Sequence, residues 1–352
     1  MLSLWQNDHM KSMVLTGIRQ IDVIDKPAPV IEHPTDVLLR ITRVGLCGSD
    51  VHYYTQGCIG DQVVSFPFTV GHECSAVVEA VGDQVSRVRP GDLVAVEPGI
   101  SCYACDQCRL GHFNTCRNMR FLGCPDQVEG CLSDFIVMPE ACCYLAEGLT
   151  PDQAALVEPL TVGLYSARLA GDLQGKTIGI LGSGPIGLSV LLAARVAGAR
   201  AVYVTDRLDY RLAMAGRQGA TWTGNPDQSD IVAEIIDREP LELDVVVECC
   251  GRQSALDQAI RLCKPMGRVV ITGITEADNV ALDIHKARRK GLTLVNVRRQ
   301  NECNQGVIDL IASGKIKPEF MVTHRFGLDE VGEAFDMLAN YRDGVVKAVV
   351  EW

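Results

Sequence analysis

Between Met13 and about Leu160, short apolar and β-branched runs recur at Val37–Arg43, Ser75–Val81, Leu93–Val96 and Asp134–Val137. Turn signals such as Arg89-Pro90-Gly91-Asp92 separate them, which predicts a mainly β domain. From Gly175 the pattern changes. Strand-length runs at Thr177–Leu181, Ala201–Thr205, Asp244–Glu248, Arg268–Thr272 and Leu292–Val297 alternate with helical patterns at about Arg207–Gln218, Ser229–Asp237 and Gln253–Leu262. Alternation of this kind predicts an α/β unit with a doubly wound parallel sheet. After Arg299 come a helical stretch (Gln305–Ser313), a Val322–Phe326 run, a helix (Leu328–Asn340) and a strand (Val345–Val350). A chain of 352 residues exceeds what one core usually serves. The reading is therefore a β domain over residues 1–160, a nucleotide-binding domain over 161–298, and a tail, 299–352, that returns to the first. The active site is expected in the cleft between the two.

The first αβ junction carries chemistry. Thr177–Leu181 runs into Gly182-Ser183-Gly184-Pro185-Ile186-Gly187, and an apolar helical pattern follows through Val196. In this context Gly182 allows the tight turn and Gly184 lets backbone approach a pyrophosphate. Gly187 lets the helix sit against the strand. Free N–H groups at the helix start then face the phosphates, and Pro185 costs nothing in the first turn. Asp206 stands at the end of the next strand, 19 residues beyond Gly187. A carboxylate there accepts from a ribose 2′-OH and repels a 2′-phosphate, favouring NAD over NADP. Its neighbour Arg207 is of the type that holds a 2′-phosphate.

The formal net charge of −11 argues against nucleic acid or an anionic membrane as partner. No apolar run is long enough to span a bilayer, and the first residues lack the pattern of a secretory signal. The expected setting is cytoplasmic. There the fifteen cysteines are more apt to bind metal than to form disulfides. Cys142–Cys143 and Cys249–Cys250 lie in apolar runs and read as buried small hydrophobes. Cys102, Cys105, Cys108 and Cys116 are spaced C-x2-C-x2-C-x7-C, close enough in sequence to close on one structural zinc. The rival is an iron–sulfur cluster, but the bacterial ferredoxin run ends in C-P and Cys116 is followed by Arg117.

Three further segments offer ligands: Leu46–Tyr54 with Cys47, Val70–Cys74 with His72 and Glu73, and Leu156–Gly163 with Glu158. Singly each is weak. In order, however, Cys47-Gly48-Ser49-Asp50-Val51-His52-Tyr53, Gly71-His72-Glu73, Val94–Gly99, the cysteine lobe, Glu158-Pro159-Leu160, the Gly-rich turn and Val322–Phe326 form one pattern. From about Leu38 to its end the chain resembles the zinc-containing medium-chain dehydrogenases, and within them the sorbitol/xylitol (polyol) branch.

The resemblance implies a GroES-like catalytic domain, with a zinc lobe at about residues 99–118, and a Rossmann domain. It implies a catalytic zinc held by Cys47, His72 and Glu73, with Glu158 beside it as ligand directly or through water. Such a zinc acidifies an alcohol hydroxyl, and hydride passes to nicotinamide. Ser49 and His52 are the candidate proton relay; their plainer readings are a turn cap and a structural histidine. Similarity places Tyr53, Glu158, Arg298 and Arg299 around the substrate, and Ile186, Asp206, Arg211, Gly273 and the backbone near Val297 against NAD. Arg211 and Arg298 otherwise read as solvated charges. Two departures stand out. The full cysteine lobe is more like microbial or plant members. The branch's Phe-Arg-Tyr is here Val297-Arg298-Arg299, and a second guanidinium suits an acidic or phosphorylated substrate. A polyol is the first expectation, with a sugar acid or sugar phosphate next. A threonine, butanediol or simple-alcohol dehydrogenase and a non-catalytic cofactor-binding protein remain as rivals. Relatives imply a homotetramer or homodimer.

Overall fold

A computed structural model describes residues 9–277 and 279–352. The described chain forms two compact units. The first holds the residues through Glu158 together with Asn304–Trp352, and the second is Pro159–Cys303.

The first unit is built on a sheet ordered Cys143–Leu145, Leu93–Val96, Glu73–Val81, Asp36–Gly45, Lys347–Glu351, Val322–Phe326, with Phe135–Pro139 also paired to Asp36–Gly45. The long central strand, Asp36–Gly45, pairs with Glu73–Val81 along one edge. The other edge is shared by Phe135–Pro139 and the C-terminal strand. The tail thus completes the sheet of the N-terminal segment, and Phe335, Ala348 and Val350 join Leu15, Leu39, Ile41 and Val96 in one core. A hairpin, His9–Gly17 with Gln20–Pro27, precedes the sheet. Its second strand buries none of its residues fully, so it shows no core-facing stripe of the kind by which strands are read.

The second unit has a six-stranded sheet in the order Trp222–Gly224, Ala201–Thr205, Thr177–Leu181, Leu243–Glu248, Cys263–Ile271, Thr293–Asn296, all parallel. The order reverses beside Thr177–Leu181, the switch point at which doubly wound sheets bind ligands. Helix Gln253–Leu262 buries Ala255, Leu256, Ala259, Ile260 and Leu262, a spacing that puts one face on the sheet. Cys142 and Cys143 are buried as expected, but Cys249 is half-buried and Cys250 exposed. The apolar run ends with the strand at Glu248, so these two thiols fall in the turn beyond the core.

At the opposite ends of these strands Asp244 gathers a clasp. Its Oδ2 accepts from the Thr177 N–H at 2.8 Å and the Thr177 hydroxyl at 2.9 Å, and its Oδ1 faces the Lys264 ammonium. Burial opposes ionisation, but these donors outweigh it and hold the carboxyl down to about 2. A depressed folded pKa gives stability that is present above the unfolded value and lost as pH falls. Asp244→Asn should therefore cost about 1–2 kcal/mol at pH 7. In urea unfolding, the gap to wild type should narrow as the pH drops below about 4.

Candidate metal centres and dinucleotide turn

Strand register assembles the first donor set. Gly45, the last residue of its strand, pairs with Glu73, the first of the next. Cys47 follows as the N-cap of helix Gly48–Gln56, and His72 immediately precedes Glu73. Cys47, His72 and Glu73 each place a ligand atom within 4.8 Å of the others. Thiolate, imidazole and carboxylate, three in number, form a donor set suited to zinc with one position left open. Asp50, fully buried, ties the set together. Its Oδ2 accepts from the Cys47 N–H at 3.0 Å, and its Oδ1 accepts from the Gly71 N–H at 3.2 Å and lies 3.3 Å from His72 Nδ1. A carboxylate at Nδ1 fixes the ring and leaves Nε2 for a metal. Burial pulls the His72 pKa down, but Asp50 and Cys47 outweigh it and raise it above the ordinary value. The site thus attracts a proton that a metal must displace.

Both Glu73 oxygens also accept from Lys347 Nζ, at 2.9 and 2.6 Å, and residue and partner are each 1% exposed. Glu158 is buried in the first turn of helix Val157–Ala170, outside the group of mutually close donors. Ser49 and His52 are both half-buried on the Gly48–Gln56 helix. Tyr53 is buried, and its hydroxyl donates to Gln62 Oε1 at 3.2 Å.

The lobe supplies the second set. Cys105–Cys108, Cys102–Cys116 and Cys105–Cys116 sulfurs lie 3.6, 3.4 and 4.0 Å apart. Four sulfurs tetrahedrally placed at ~2.3 Å from one zinc lie about 3.8 Å apart, far beyond a disulfide bond. Backbone N–H groups of Ala104 and Cys105 hold the Cys102 thiol down to about 6, while burial and neighbouring thiols push Cys108 up to about 12. A shared dication removes that mutual opposition.

In the second unit Gly182 has φ +100°, Gly184 is the N-cap of helix Pro185–Val196, and Pro185 opens it. A Cβ on Gly187 would stand 1.8 Å from the Gly182 carbonyl oxygen, so only glycine lets helix and turn meet this closely. Ile186 is half-buried beside it. Asp206 Oδ2 accepts from the Ser183 N–H at 2.7 Å and Oδ1 from the Leu208 N–H at 2.9 Å, which fixes the acid beside the turn. Arg207 turns to Asp227 at 2.6 Å. The Arg211 guanidinium lies 3.3 Å from where a Cβ on Gly184 would be. Gly273 packs against the Glu248 carboxylate and the Gly251 N–H, and the Val297 N–H donates to Ile271. Arg298 is exposed, and Arg299 is half-buried with φ +52°.

Sequence reasoning assigned no role to Asp50, Lys347 or Glu248. Asp50 had a signal: it stands three residues after Cys47, the spacing of a capping box. Lys347 had none that named its partner, which lies 274 residues away.

A family model described as the alcohol dehydrogenase GroES-like domain matches residues 33–148, and one described as zinc-binding dehydrogenase matches 185–313. The chain is 33% identical to a sorbitol dehydrogenase of Bacillus subtilis (strain 168), over 97% of each chain. It is 34% identical to an L-idonate 5-dehydrogenase of Vitis vinifera, over 92% of this chain and 90% of that one. A Sinorhizobium meliloti 1021 structure, named for a zinc-binding dehydrogenase and bound to NADP, superposes with a TM-score of 0.89 at 31% identity. It covers 98% of this chain and all of that one (100%). The chain belongs to the zinc-containing medium-chain alcohol dehydrogenase superfamily and is an enzyme acting on CH–OH donors. No helix among the described residues is long and apolar enough to cross a membrane.

Asp50→Asn should weaken zinc binding at the Cys47 site by roughly 10–100-fold, read by chelator competition. In the unaltered protein the same competition should favour retention as the pH rises, because a metal bound there must displace protons from its ligands.

Proposed function

We propose that the enzyme oxidises a secondary hydroxyl of a polyol of the sorbitol or xylitol kind to the ketose, using NAD and zinc. The observation that carries this reading is the donor set of Cys47, His72 and Glu73, in a chain similar to a named sorbitol dehydrogenase. When bound, zinc supplies Lewis acidity at the hydroxyl oxygen and NAD supplies the hydride acceptor. Cys47, His72 and Glu73 hold the ion, Asp50 orients the His72 ring, and Glu158 contributes directly or through water. The acidified hydroxyl must release a proton. Ser49 Oγ would accept it while handing its own proton to the His52 imidazole, which would release one to solvent. Tyr53, Arg298 and Arg299 contact the substrate. Gly182, Gly184, Gly187, Arg211, Gly273 and the Val297 backbone hold the dinucleotide. The four lobe cysteines hold a second, structural zinc with no open position.

The Asp206 carboxylate supports NAD over NADP. The residue that would offset it, Arg207, is committed to Asp227. A second reading, oxidation of a sugar acid or sugar phosphate, is supported by the consecutive arginines Arg298 and Arg299 and by the idonate dehydrogenase relative. A reducing, cytoplasmic setting and a homodimer or homotetramer belong to the same proposal.

The test is an NAD-reduction screen over sorbitol, xylitol, galactitol and hexonates, before and after metal removal. Neutral polyols should be oxidised, and zinc should restore the chelated enzyme. Failure of every neutral polyol alongside turnover of hexonates would pass the assignment to the second reading. Asp206→Ala should raise the KM for NAD roughly tenfold and narrow the preference over NADP, as loss of about 1.4 kcal/mol of ribose binding requires.

A further inference from the structure

Lys347 is a fully buried cation whose neighbours in its strand, Ala348, Val349 and Val350, are all apolar and 0% exposed. An ammonium is not needed to fill that place, and burying one is costly unless it is paired. Its three protons have three acceptors: the Leu46 carbonyl at 3.1 Å and the two Glu73 oxygens. The sheet builds this contact deliberately. Gly45 pairs with Glu73 on one side and Val349 on the other, and a Cβ there would stand 2.5 Å from Glu73 Oε2 and 3.6 Å from Lys347 Cδ. The Lys347 stem therefore crosses the sheet over a residue without a side chain. It ends on a carboxylate that also stands among the metal donors.

Two partners thus contend for the same oxygens. We propose that Lys347 is a positioning residue that holds the Glu73 carboxylate in reserve. It competes with the metal for Glu73, so the carboxylate binds loosely and one coordination position stays available for the substrate hydroxyl. It also sets the charge. Cys47, Glu73 and Asp50, with Glu158 near them, gather more negative charge than a dication offsets, and the Lys347 ammonium supplies a further counter-charge. In a buried setting that charge is little screened. The inference rests on the metal-site reading above and names a residue of that site which the reading leaves idle.

The test is zinc release to a chromophoric chelator from the loaded protein. The relevant phase is the one absent from Cys47→Ser; the phase from the cysteine lobe serves as an internal control of folding. Lys347→Met should slow the Cys47-dependent phase on the order of tenfold, as Glu73 becomes a full ligand, and leave the lobe phase unchanged. The cobalt-substituted variant should show an altered visible absorption spectrum. Lys347→Arg should behave as wild type, and in the double variant Glu73→Gln/Lys347→Met the slowing should vanish. If Lys347→Met does not fold, Lys347→Gln keeps a donor for Leu46 without the charge and is read in the same way. Release from the folded single variant that is no slower than wild type overturns the proposal, as does slowing that persists in the double variant. A wild-type protein with no Cys47-dependent phase overturns the metal-site reading itself, a separate failure.

Discussion

The pairing of Gly45 with Glu73 is the constraint on which the donor set of the first unit depends. It sets the end of one strand against the start of another. Cys47 and His72 sit just beyond those two points in the chain, so the register alone brings thiol, imidazole and carboxylate together. A slip by one residue would turn Glu73 to the other face of the sheet. Charges gathered in a buried place must be compensated. Asp50 supplies hydrogen-bond acceptors on the helix side and Lys347 a cation on the sheet side.

The dinucleotide turn solves a different problem by a different route. Its geometry comes from backbone and from the absence of side chains: Gly182 takes a conformation other residues avoid, and Gly187 makes room for a carbonyl. The Asp206 side chain stands beside the turn, held still by two backbone N–H groups. Such a site is written in one local stretch. The metal site is distributed over strands that meet only in the folded sheet.

That difference decides what was legible in the sequence. The strands Thr177–Leu181 and Ala201–Thr205 and the helix Gln253–Leu262 have the expected bounds, because fully buried parallel strands and one-faced helices leave strong periodic signals. The tail's strand was readable, but its place beside Asp36–Gly45 was not a matter of local pattern. The helix Ile284–Lys290 escaped although Asp283 caps its start and Gly291 its end, since only Ala287 is buried and no apolar stripe marks it. Cys249 and Cys250 misled because they were read as core residues although they stand beyond Glu248, where the strand was already expected to end. Lys347 could not have been paired with Glu73 from spacing, and a lysine within an apolar strand is itself the anomaly that a buried counter-charge explains.

The cysteine lobe differs from the Cys47 donor set in what can order it. Tyr103 and Leu110 are exposed at 54% and 68%, and the segment's strands, Gly99–Ile100 and Arg120–Phe121, are two residues each. So short an element buries too little apolar surface to order itself. What the lobe does bury is largely polar or sulfur: Ser101, Cys108, Asn114 and Cys116. A cation gripped by four nearby thiolates can order such a loop where packing cannot, and it needs every ligand from the protein to do so. Substrate activation demands the reverse, a cation incompletely ligated by the chain. Its donors must then be positioned by a rigid sheet, because the ion cannot both organise the site and remain open.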